Sequence, residues 1–232
     1  MRGLALSLML ASGSAAAEGQ FQIWDVQLGA PVTQIPVAAM AEVYCGTNGG
    51  PPSVPLPDVT DFARCPTEPD GLHEVGFTYD DEAAYVARAM GSPHVIQTIA
   101  TRVFGQPAVV SVLVDVDGVV QGLRIVTDDR APDILRRRAH ALATQFEAQF
   151  HDHNLHCADL PLADGEQPLG HLHVKTRCTG VSADKTQTVQ IEASYLRRKG
   201  QTGVDMRSQR VNTGYYESRT RLELRLRAAG DR

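Results

Sequence analysis

The chain has 232 residues, 43% hydrophobic, 21% charged and 6% aromatic, which is the make-up of an ordinary globular protein and excludes a disordered or collagen-like one. Twenty-two basic against 27 acidic side chains give a formal net charge of −5, so there is no chain-wide cationic field of the kind that draws proteins onto nucleic acid. No run reaches the roughly 20 apolar residues of a membrane-crossing helix.

The first residues combine a basic start (Met1-Arg2-Gly3), a short apolar run (Leu4 to Ala11) and a small-residue exit (Ser12 to Ala17). That order predicts a secretory signal peptide over 1–17, with Ala15 and Ala17 as the small pair that a signal peptidase accepts. The expected organisation is then an N-terminal α+β unit with a disulfide loop over 18–100, and a hairpin, a long helix and C-terminal antiparallel strands over 101–232. Export predicts that Cys45, Cys65, Cys157 and Cys178 are oxidised. Four cysteines allow three pairings; the similar separations of 20 and 21 residues favour Cys45 with Cys65 and Cys157 with Cys178. Only three of the 22 basic residues are lysine, a bias associated with GC-rich bacterial coding, so the expected compartment is a periplasm or the exterior.

In chain order, the alternation in Phe21 to Leu28 predicts a strand, and Ile35 to Tyr44 reads as a short helix. Residues 45–57 are dense in Gly and Pro and must be loop; they lack the lysine and the glycine spacing of phosphate-binding loops. Val75, Phe77 and Tyr79 predict a strand, and Asp80 caps a helix from Asp81 to about Met90. Two β-branched runs, Ala108 to Val116 and Val119 to Val126, meet at Asp117-Gly118 and predict a hairpin. Apolar residues then recur at helical spacing from Ile134 to Phe150, which predicts one long helix over about 132–150. Three alternating segments, 171–178, 189–195 and 219–227, predict antiparallel strands, with an exposed loop over Lys199 to Asn212. The expected fold is therefore α+β: antiparallel sheet segments, one long helix and two disulfide staples. A faint echo of the cysteine pairs suggests two similar packed units.

Two groups of residues could carry chemistry. Arg219, Arg221, Arg225 and Arg227 share one face of the last predicted strand, beside Lys175 and Arg177 on another; guanidinium groups pair bidentately with phosphate and carboxylate. The alternative use for this basic face is internal, because residues 1–100 hold 3 basic and 11 acidic side chains against 19 and 16 in the remainder. The second group is histidine: six of eight lie between His140 and His173, and His151, His153, His156, His171 and His173 are candidate ligands for a transition metal. On a strand, His171 and His173 would share a face. There is no G-x-S-x-G, H-E-x-x-H or dinucleotide motif, so no catalytic residue is assigned. The sequence thus predicts a non-catalytic envelope protein that binds a protein partner or an anionic ligand through a basic strand face. The competing expectation is a metal-binding or metal-dependent hydrolytic protein that uses the histidines. Neither expects a nucleic-acid partner or, after leader cleavage, a membrane span.

Overall fold

The computed structural model describes residues 21–79, 90–91, 101–131, 133–200, 202–205, 210–212 and 216–227. The expected signal peptide and the expected helix after Asp80 lie outside these residues, apart from Met90. The frame is an antiparallel sheet built on β1 (Met40–Cys45), β2 (His73–Tyr79), β4 (Gln106–Val114), β5 (Val120–Thr127), β6 (His156–Asp159), β8 (Val174–Val181), β9 (Gln187–Arg198) and β12 (Glu217–Leu226). Their order is β1-β2-β4-β5-β12-β9-β8-β6. Two short strands attach at the side: β3 (Arg102–Val103) on β4 and β7 (Glu166–Gln167) on β9. The sheet is continuous across residue 100, since β2 pairs with β4; each half of the chain runs from an edge strand to the centre, where β5 meets β12. The fold is α+β with the sheet dominant. No helix among the described residues is long and apolar enough to cross a membrane.

The Asp-Gly hairpin forms as its turn chemistry dictates. Asp115 Oδ1 accepts from the N–H groups of Asp117 and Val119, and Gly118 takes the positive φ of 78° that the turn requires. The three C-terminal alternations become β8, β9 and β12. Val189, Ile191, Ala193, Leu222 and Leu224 face a core, joined there by Val75, Phe77, Val112, Leu123 and Ile125. Over it lies α2 (Leu142–Gln149), whose Leu142, Ala143 and Phe146 are buried. Both disulfides join sequence neighbours, Cys45–Cys65 and Cys157–Cys178, the latter directly across β6 and β8.

Several local expectations give way to tertiary context. Residues 21–28 do not form a strand: Ile23–Asp25 is a 3-10 turn that buries Ile23 and places Trp24 edge-on to Phe146 and Phe150, while Asp25 Oδ2 accepts from Gln22 N–H. Only Val37–Ala39 is helical in the 35–44 segment, as a 3-10 turn; Met40–Cys45 is drawn into an edge strand by pairing with β2. The segment expected to be one long helix is interrupted: α1 (Asp133–Arg136), a 3-10 turn at Ala139–Ala141, then α2. Hydroxyls on β12 take up backbone groups at the break: Thr220 Oγ1 donates toward the Ala139 and His140 carbonyls, and Ser218 Oγ accepts from His140 N–H. Within the polar 199–212 segment a small ribbon forms, β10 (Gly203–Asp205) on β11 (Arg210–Asn212). β8 starts at Val174. His171, Leu172 and His173 precede it in a turn closed by reciprocal Leu169–Leu172 backbone bonds, so Leu172 is exposed.

Candidate anion-binding groove

The sheet's second face is polar, and half of it is covered. The two ends of the 46–70 segment, stapled at Cys45–Cys65, lie on it: Gly46 and Gly49 against Glu74 of β2 and Val126 of β5, and Glu68 against Arg124 of β5, while Leu56, Val59 and Cys65 between them join the core. Its glycines are needed for close approach: a Cβ at Gly46 would overlap the Glu74 side chain, and one at Gly49 would overlap Val126. Glu74 is buried. Its carboxylate accepts from the N–H groups of Asn48 and Gly49 and from Ser111 Oγ, and pairs with Arg124 Nη1 at 2.9 Å. Arg124, 2% exposed, also holds Glu68 through both Nη atoms (2.6 and 2.9 Å) and Glu223 through Nε (2.8 Å). Burial works against the Arg124 cation, yet Glu68, Glu74 and Glu223 together outweigh it and keep the group firmly protonated. One guanidinium thus joins the disulfide segment (Glu68), β2 (Glu74) and β12 (Glu223) to β5.

Beyond this clasp the face is open over β8, β9 and β12. There a groove of ≈ 600 Å³ is floored by the outward side chains of paired strands, with Lys175, Arg177, Arg198, Arg219 and Arg221 supplying cations and Glu192 and Glu217 supplying carboxylates. Thr47, Asn48 and Gly50 form one wall and Leu160 contributes to the other. The cations differ in how they are engaged. Lys175 Nζ bonds Glu166 (2.7 Å), Arg177 Nε bonds Glu192 (2.8 Å) and Arg198 bonds Glu217 and Glu166 (2.8 and 3.1 Å). Arg221 donates to Asn48 O and Oδ1 (3.0 and 2.6 Å) and to Glu223. Arg219 makes no hydrogen bond or salt bridge with any described residue; Asp129 and Glu217 act on it through space. Burial acts to raise the Glu217 carboxyl, but Arg198 and the Ser194 hydroxyl outweigh that and hold it below the usual carboxylate range.

The basic face expected from the sequence is therefore divided. Lys175, Arg177, Arg219 and Arg221 come together in the groove; Arg225 lies further along β12, tied to Asp70 and Glu223, and Arg227 lies just past the end of that strand, where its N–H reaches Thr186 O. The acidic early segment takes up part of the charge through Glu68 and Asp70. The histidines are not gathered. His151 Nδ1 sits 3.0 Å from Ala148 O; His153 is buried edge-on to Phe150 with Nδ1 2.8 Å from Asp152; His156 is on β6, and His171 and His173 are in the exposed turn before β8. Among the described residues, the one group with metal-ligand geometry is Glu147 with Cys157 and Cys178, whose sulfurs are bonded to each other and so are not thiolates. Sequence reading overlooked Arg124, Glu74, Asn48 and Arg198; the single charge inside the apolar run of β5 was the available signal for Arg124. Compared with known families, with curated proteins and with solved structures, the chain matches none.

Proposed function

We propose that this is a non-catalytic protein of the periplasm or the cell exterior that holds an anionic ligand, free or displayed by an envelope partner, in the groove over β8, β9 and β12. The observation that carries this reading is Arg219, a guanidinium that bonds no described residue and stands between Lys175, Arg198 and Arg221 on the groove floor. A cation held among fixed neighbours gains most from a carboxylate, sulfate or phosphate that completes its donor set. Two disulfides are compatible with an oxidising location. The two edge-to-centre halves of the sheet support reading the chain as two similar units.

The test is thermal unfolding in citrate or sulfate, with Arg219→Glu as the probe. Arg221 and Arg225 are poor choices because they fasten the disulfide segment. The native chain gains stability with anion concentration as a bound ligand requires, and Arg219→Glu loses that part of the gain, measured from its own anion-free midpoint because Asp129 and Glu217 feel the reversed charge. Equal gains in both proteins would reflect general salt effects and would discard the reading.

A further inference from the structure

Paired outward residues form rows across the three strands: Lys175–Ser194–Arg219, Arg177–Glu192–Arg221, Thr179–Gln190–Glu223 and Val181–Thr188–Arg225. The first two rows floor the cationic groove. The last two floor a second hollow of ≈ 600 Å³, which Asn154 and His156 close on the β6 side. Rows repeat every two residues, so the shared floor runs about 20 Å from the first row to the last. From this continuity we infer that the two hollows are one trough for a linear acidic polysaccharide, a chain of uronate type; the inference rests on the anion-binding reading above and names its ligand class.

Charge density decides against the simpler ligands. Glu192, Glu217 and Glu223 stand among the cations, so a polymer with an anion at every step would meet carboxylates along its whole length. A compact anion would use only the Arg219 end and leave the Thr179–Gln190 row idle. A uronate chain carries carboxylates at intervals for Arg219 and for Arg177, which bonds Glu192 through Nε alone among the described residues, and hydroxyls between them. Those hydroxyls accept from threonine, glutamine and guanidinium donors and donate to glutamate, so both kinds of lining are matched. A peptide strand laid on this face would find the strand ladders of β8, β9 and β12 already complete, and its own amides would go unpaired.

Calorimetric titration of the full chain with galacturonate monomer, dimer and hexamer tests this, with dextran and polyglutamate of matched length as controls. Affinity is expected to rise at least tenfold from monomer to hexamer, with no binding of dextran. Arg219→Ala should weaken hexamer binding at least tenfold. Thr179→Val, which removes one exposed hydroxyl, should weaken the hexamer several-fold and leave the monomer unchanged; an unaltered unfolding midpoint shows that each variant is folded. Equal affinity for monomer and hexamer overturns the polysaccharide trough but leaves the anion site standing. Tighter binding of polyglutamate than of hexamer overturns it in favour of an acidic peptide. No binding of any anion overturns both readings.

Discussion

Arg124→Met tests the clasp that holds the disulfide segment to the sheet. Methionine keeps much of the apolar stem and removes the charge. What remains is Glu74, its side chain 3% exposed, still bonded to Asn48, Gly49 and Ser111 but without its cation. Glu68 and Glu223, 18% and 17% exposed, can turn toward water and contribute little to the cost. Removing one partner of a buried pair costs about 3–5 kcal/mol, and Glu74 places this site in that range. Such a loss is a large fraction of the roughly 5–15 kcal/mol typical of a native domain. Urea unfolding followed by Trp24, the sole tryptophan, which packs on Phe146 and Phe150, should show a lower midpoint at unchanged slope. Adding Glu74→Gln removes the stranded charge and should restore part of the loss, a coupling that only contacting residues show. A single variant within about 1 kcal/mol of native, or a double variant that loses as much as the two single losses summed, would refute the clasp.

Three further outcomes follow from the same geometry. Gly49→Ala forces a Cβ into Val126 at φ +74°, and should lower stability by more than the roughly 1–3 kcal/mol of an ordinary strained residue in equilibrium unfolding. Phe146→Ala opens a void where Trp24, Phe104 and the sheet meet, and should cost about 3–5 kcal/mol by the same measurement. Acid should loosen the groove wall: burial tends to raise the Glu223 carboxyl, but Arg221, Arg124 and Arg225 hold it below the usual range, and Glu217 is likewise depressed. Because these folded values lie below the unfolded glutamate value of about 4.3, their stabilisation is complete above that pH and is lost as pH falls through the folded values. A midpoint that rises on acidification from pH 5 to 3 would contradict this assignment.

Period-two alternation in 171–178, 189–195 and 219–227, and the Asp-Gly turn between two β-branched runs, are enough to find β4, β5, β8, β9 and β12, although β8 begins only at Val174, because each pattern is a local consequence of one buried face. The same alternation placed Lys175, Arg177, Arg219 and Arg221 on one side, and similar loop lengths pointed to the two disulfides. Residues 21–28 and 35–44 were misread because their short apolar runs fit helix, strand or turn equally, and packing on β2 and Phe146 settled the choice. No three of the histidines lie within ligand distance of one another among the described residues, and His171 and His173 lie in the turn before β8, where Gly170 takes a positive φ of 64°.

Local order along the chain, then, determined β4, β5, β8, β9 and β12 and which side of β8, β9 and β12 carries charge. Only the tertiary structure decided which charges are spent internally. Arg221 and Arg225 look equivalent to Arg219 in the sequence, but Asn48 and Asp70 arrive from more than 150 residues away to bond the first two, while no described residue bonds Arg219. The physical reason is that ion pairing depends on distance in space between side chains from remote segments, which no local pattern records.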